Sequence, residues 1–403
     1  MSVAATKPNA LRWQAARSVE PVPIAKLLPL LREAVAATPD RADLKLQLAK
    51  ALSRGDRMAE IVDRLAPAIA DRDADPELLF HVGRAALASR DYQLALDALR
   101  AAVAKTYARA YGYLAETLLR LDRLDEALEA GLQGLQRSPS DSKCLSVAAR
   151  ILLDRREAER LWALCVDVRA RGAWGPFIGS AMAYAAAVSG RDEELARLVD
   201  PKRWFSAAQL AVPPGFNQAL AAEILGYKSL GQSRPANVTR GAAIRIDQFE
   251  LVAGPLAQDL LARIRAAVES YVAERRVFSD HPIMVQRPES VELRSWALAV
   301  HDDGYQNWHI HQYGWISGVY YVEMPTVEPD CDGIPGTIEF GLFGFGQKRE
   351  NVPSPRWQVT PQSGQLLLFP SYYAHRTWPT GVGDQRVCVA FDICPSVAMP
   401  DTE

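Results

Sequence analysis

Nowhere in the chain is there an uninterrupted apolar run of the roughly 18 residues that a helix needs to cross a bilayer. The opening MSVAATKPNALRWQAARSVEP likewise lacks the continuous apolar centre of a secretory leader. Excess charge is missing too: 46 Lys and Arg face 48 Asp and Glu, which leaves no basic field to attract nucleic acid or an anionic membrane. The five cysteines (Cys144, Cys165, Cys331, Cys388 and Cys394) are odd in number, widely spaced and without a CxxC pair. That pattern suits reduced thiols in a cytosolic protein and supports neither a disulfide framework nor a structural zinc site. These absences point to a cytoplasmic chain without a membrane or nucleic-acid partner, and they leave the oligomeric state open. A length of 403 residues suits two or three domains.

From about Ile24 to Leu198 strand-like alternation is nearly absent, Ala, Leu and Arg abound, and apolar residues recur at helical spacing. Laying RAALASRDYQLALDAL (from Arg84) over AETLLRLDRLDEALEA (from Ala115) superposes Ala95 on Ala127, a step of 32 residues. An upstream segment, LAKALSRGDRMAEIV, repeats after 35 residues, with Asp56 over Asp91. A period near 34 residues, with small residues where paired helices touch, resembles tetratricopeptide repeats. Each unit is a helix pair that cannot bury its apolar face alone, so neighbours must stack. Such a solenoid is expected to hold a peptide or protein substrate; the competing reading is a scaffold or dimerisation surface.

The texture changes near VPPG, before Gly215. Phe216 to Tyr227 and Pro255 to Arg276 still read as helices. From Glu292 short Val, Tyr, Phe and Leu runs bounded by Gly and Pro take over. Strands are expected at Leu293 to Val300, Gly318 to Val322, Gly336 to Phe340, Gln365 to Pro370 and Arg386 to Ile393. The organisation expected is an N-terminal extension (1–23), the helical repeat domain (24–204), linking and flanking helices (205–291) and a strand-rich core (292–403). The fold class is therefore multidomain α and β, the core being a double-sheet jelly roll with helices packed outside it.

Histidine is scarce, with six in the chain, and three of them form the doublet His309-Ile310-His311 and the distal His375. Residues i and i+2 of a strand share a face, so His309 and His311 can point into a barrel where His375 joins them. Three neutral imidazoles suit a first-row metal and leave open positions for further ligands. The bland alternative is an ordinary polar strand face. Arg386 follows His375 by 11 residues in the apolar run RVCVAFDI.

Together WHIHQYGWISGVYYV, SGQLLLFPSYYAH and RVCVAFD resemble the iron(II)- and 2-oxoglutarate-dependent oxygenases, over roughly Phe216 to Pro395. In that superfamily a His-x-Asp pair and a distal His bind iron, and an Arg or Lys shortly afterwards binds the far carboxylate of 2-oxoglutarate. His309, His375 and Arg386 stand in those places. The resemblance implies a double-stranded β-helix that uses Fe(II), 2-oxoglutarate and O2. It also implies that Tyr321 hydrogen-bonds the same carboxylate, as a tyrosine of prolyl hydroxylases does; a packed barrel aromatic is the other reading. One departure stands out, since His311 occupies the usual carboxylate place. A bacterial group of such oxygenases shares this HxH, which makes His311 a third ligand; the alternative is a residue behind the ligands, with water completing the coordination. Asn307 sits where its amide can reach the cosubstrate or cap a strand end.

Other features read as quieter. GLFGFG (Gly341 to Gly346) lacks the Lys and helix of a phosphate loop. The connection PTVEPDCDGIPG (Pro325 to Gly336), with Asp330 and Asp332, reads as a loop at the barrel mouth. The activity expected is a dioxygenase that hydroxylates a peptide or protein side chain chosen with help from the repeats. The rivals are a three-histidine cupin-type dioxygenase that does not use 2-oxoglutarate and a repeat-based interaction protein without catalysis.

Overall fold

The computed structural model describes residues 11–15, 24–227, 231–232, 238–325, 335–346 and 355–396. Most of the N-terminal extension and of the acidic, Pro-rich connection, including Asp330, Cys331 and Asp332, lies outside them. The described residues form two compact units: 24–173 with 345–346, and the remainder.

The first unit is a tetratricopeptide-like array of helix pairs: α1 (Ile24–Ala37), α2 (Ala42–Arg54), α3 (Met58–Leu65), α4 (Pro76–Ala88), α5 (Tyr92–Ala104), α6 (Ala110–Arg120), α7 (Leu124–Arg137), α8 (Ser142–Asp154) and α9 (Ala158–Ala170). Its period is written in the backbone. Asp56, Arg90, Asp122 and Arg156 have φ of 56°, 64°, 58° and 60°, in steps of 34, 32 and 34 residues. After each of them the next amide donates five residues back, as in Asp91 to Ala86 at 2.9 Å and Arg123 to Leu118 at 2.9 Å. This left-handed cap satisfies carbonyls at the helix end and turns the chain into the next helix.

Side-chain carboxylates of Asp75, Asp91 and Asp141 cap the N-termini of α4, α5 and α8. Small residues let the paired helices approach: a Cβ added at Gly83 in α4 meets Leu99 Cγ of α5 at 2.5 Å. Leu48, Leu52, Ile61, Val82, Ala85 and Ala98 are buried between successive pairs. Among the described residues no helix is long and apolar enough to cross a membrane.

The second unit contains the five strands expected from Glu292 onward and two that were not expected, Trp357–Val359 and Ala374–Thr377. They are β1 (Ser290–Asp302), β2 (Ile316–Glu323), β3 (Ile338–Gly341), β4 (Trp357–Val359), β5 (Gln365–Pro370), β6 (Ala374–Thr377) and β7 (Gly381–Pro395). The larger sheet runs β5-β2-β7-β1 and is extended by Ser206–Gln209 beside β5 and by Ala243–Asp247 beside β1. The smaller sheet runs β4-β3-β6. Successive parts of the chain pass between these antiparallel sheets, which is the double-stranded β-helix topology.

Register decides which side chains meet inside the barrel. Cys388 pairs with Tyr321, Ala390 with Val319 and Asp392 with Ser317. Because a strand alternates its faces, the neighbouring Tyr320 points the other way, where its hydroxyl donates to Asn217 Oδ1 at 2.7 Å on the outer helix Phe216–Leu225. The helices Pro176–Val188 and Pro255–Glu274 also belong to this unit. Ser180 Oγ of the former donates to the Tyr372 carbonyl at 2.8 Å, and Gly179 leaves space for the Tyr372 ring.

Candidate metal centre

His309 lies just beyond β1, in a single antiparallel bridge rather than the continuous strand expected, and its bridge partner is His375 of β6. The two exchange both backbone hydrogen bonds at 3.0 Å. The bridge thus joins residues 66 positions apart and sets their rings 4.2 Å apart between centroids. His311 points to the same side and is tied through its amide to the Ser371 carbonyl at 3.1 Å. One ring nitrogen from each of the three histidines falls within 4.8 Å of the others, and all three residues are buried.

In each ring Nδ1 is already engaged. His309 donates to the Asn307 carbonyl at 2.7 Å, His375 to the Tyr373 carbonyl at 3.0 Å and His311 to Asp392 Oδ1 at 2.5 Å. With Nδ1 carrying the proton, Nε2 keeps its lone pair, the form in which imidazole binds metals. Burial pushes His309 down to about 3, helped by the nearby His311; it also holds His375 well below the usual histidine range, helped by His309 and His311. Both rings are therefore neutral at pH 7. The donor set fits a divalent first-row metal such as iron(II).

The same cavity is lined by Tyr321, Thr377, Arg386, Phe369, Trp296 and Gln306. Arg386 is 1% exposed. One guanidinium nitrogen donates to Thr377 Oγ1 at 3.1 Å and another to the Gly336 carbonyl at 3.3 Å, while Nε has no partner. No carboxylate pairs with it among the described residues. A buried cation satisfied only by neutral groups keeps a charge that an anion in the cavity can offset. Tyr321 is 1% exposed, and burial raises its phenol above the ordinary range, so it is a neutral donor beside Arg386. Val319, Ile338 and Ala390 supply dry walls.

Asn307 contributes through its backbone: its carbonyl orients His309 and its amide donates to Val238, while Gln306 is the neighbour that lines the cavity. Sequence reasoning assigned nothing to Asp392, Thr377, Gln306 or Ser317. Asp392 closes the motif RVCVAFD, but its partner lies 81 residues away and only the register of β7 brings them together.

Residues 294–392 match the family described as "Putative 2OG-Fe(II) oxygenase". No curated protein matches the chain. Among solved structures, a prolyl-4-hydroxylase of Pseudomonas putida is 16% identical, covering 49% of this chain and 96% of its own at a TM-score of 0.35. A Trichoplax adhaerens prolyl hydroxylase, in complex with a hypoxia inducible factor peptide fragment, is 14% identical over 51% and 90% at 0.34. MamA is 17% identical over 42% and 91% at 0.32. Likenesses this low carry no weight for the fold or chemistry of this chain.

Proposed function

We propose, from the premise that residues 294–392 belong to the iron(II)- and 2-oxoglutarate-dependent oxygenases, that the chain hydroxylates a side chain of a peptide or protein. The family uses iron(II), 2-oxoglutarate and O2, which together supply the oxidising chemistry when bound. The observation that carries the reading is one cavity in which three imidazoles converge beside a buried guanidinium that has no carboxylate partner among the described residues.

His309, His311 and His375 are the residues to hold the metal. Arg386 anchors the far carboxylate of 2-oxoglutarate, because a guanidinium offers a fixed, permanently charged fork for it. Thr377 holds Arg386 in place, and Tyr321 lends its hydroxyl to the same carboxylate. Phe369, Ile338 and Val319 keep water from the reacting atoms. The repeat domain selects the substrate, since stacked helix pairs present a continuous surface suited to an extended chain. Buried thiols at Cys144, Cys165, Cys388 and Cys394 suit a reducing, cytoplasmic setting.

The test is anaerobic titration of 2-oxoglutarate into the Fe(II)-loaded protein, watching for the visible charge-transfer band of a chelated keto acid. A band that is lost in Arg386→Ala is the expected result. Iron binding without a band in the wild type overturns the 2-oxoglutarate assignment and favours a three-histidine dioxygenase. Succinate release on addition of candidate peptides then tests the substrate class.

A further inference from the structure

We infer that Asp392 is a positioning residue for the metal centre: its carboxylate holds the His311 ring with Nε2 toward the metal and restores the negative charge that a histidine in the carboxylate place removes. The inference rests on the reading of His311 as a ligand. Its ground is an asymmetry among the three rings. His309 and His375 donate to neutral carbonyls two residues back in their own chain segments, Asn307 and Tyr373. His311 alone donates to a charged group, and that group comes from β7.

The contact is built from several sides. Asp392 pairs in register with Ser317 of β2, whose Oγ donates to the same Oδ1 at 2.6 Å. Ser317 Oγ lies 2.7 Å from Ser371 Oγ, and the Ser371 carbonyl accepts the His311 amide at 3.1 Å. Ring and backbone of His311 are thus fixed by one connected set of groups. Gly314 leaves room for it, since a Cβ there sits 3.1 Å from Asp392 Oδ1 and crowds Ser371 Oγ. The side chains of His311 and Asp392 are 7% and 13% exposed, and among the described residues no Lys or Arg forms an ion pair with Asp392; Arg294, its register partner on β1, gives its guanidinium to Glu292. Its charge is therefore directed at the imidazole. A carboxylate on the far nitrogen raises the donor strength of a ligating histidine and fixes its tautomer, and losing such a partner typically costs about 10–100-fold in metal affinity. Two neutral histidines and one backed by a carboxylate approach the charge of a set with two histidines and a carboxylate. The rival is a histidinium–aspartate ion pair that locks the barrel and has no part in metal binding.

Competition titration of Co(II) into the full-length protein separates these readings, using His311→Ala, Asp392→Asn and Ser317→Ala. The expected result is severe loss in His311→Ala, a loss of about 10–100-fold in Asp392→Asn, and a smaller loss in Ser317→Ala, which keeps the charge. Unchanged affinity in His311→Ala removes His311 from the ligand set and with it the basis of the inference. Loss in His311→Ala with unchanged or tighter binding in Asp392→Asn leaves the ligand reading standing and overturns the role of Asp392. Equal losses in Ser317→Ala and Asp392→Asn overturn it as well, because packing and not charge is then at work. Should Asp392→Asn fail to fold, nitrogen NMR of the wild-type protein with Zn(II) decides. His311 Nε2 must shift on metal addition, and its Nδ1 proton must lie furthest downfield of the three rings; a shift without that downfield proton sinks the inference.

Discussion

Arg386 brings a charge into the barrel interior, where it meets Thr377, a backbone carbonyl, the Cys388 thiol and the cavity. Replacing it with Lys keeps the charge and loses the fork, so Arg386→Lys is expected to weaken 2-oxoglutarate binding by about 10-fold or more, between wild type and Arg386→Ala, in the charge-transfer titration. Tyr321→Phe removes one hydroxyl, and a loss of about 3–10-fold is expected if it meets the carboxylate; unchanged binding makes the ring a packing residue. At this scale the sequence was most informative where chemistry is local. The HxH doublet, the distal His375 and Arg386 stand out because few residue types do their work and their spacing is short. Alternation along β2 separates Tyr321 from Tyr320 once a strand is drawn. Asp392 and Ser317 were illegible because an aspartate and a serine are ordinary residues until the register of β7 against β2 makes them neighbours.

Between elements, the helix hairpins depend on a left-handed residue at each internal turn, and four of these are Asp or Arg, whose Cβ makes that conformation costly. Arg90 is exposed, with φ of 64°. Arg90→Gly is therefore expected to stabilise the protein by about 0.5–1 kcal/mol, read as a higher denaturation midpoint. Gly83→Val should do the reverse, by more than about 2 kcal/mol, because its side chain must displace Leu99 from the contact between α4 and α5. The repeat period could be read from Ala95 and Ala127, since small residues at helix contacts are a composition signal. The strands at Leu293, Gly318 and Gln365 were likewise visible as apolar runs. Ser206–Gln209, Ala243–Asp247 and β6 were not, being short or polar and ordered by their pairing partners, which no local pattern records.

Across the whole molecule, each unit hides a histidine away from the metal centre. His81 in α4 and His281, stacked on Trp204 at 4.0 Å, are both pushed down to about 4, chiefly by burial. His281 accepts from the Ile283 amide at 3.2 Å and donates to the Arg197 carbonyl at 3.1 Å, so its neutral form is the one that fits. Below about 6.5 the unfolded chain takes up protons that these folded rings refuse. Their contribution is complete above that pH and falls away toward pH 4, by about 1.4 kcal/mol per pH unit for each ring. Calorimetry should show lower melting temperatures at pH 5 than at pH 7.5, with a smaller drop in His81→Gln and in His281→Gln. An equal drop in both variants assigns the acid sensitivity to other groups.

The reciprocal backbone bonds between His309 and His375 change what metal loading means for this chain. The loop between them is closed by peptide groups before any ion arrives, so the entropy of bringing its ends together belongs to folding and not to coordination. Loading then fills a preformed cage instead of assembling one. The metal a preparation carries then reflects the supply it met as much as any preference of the fold.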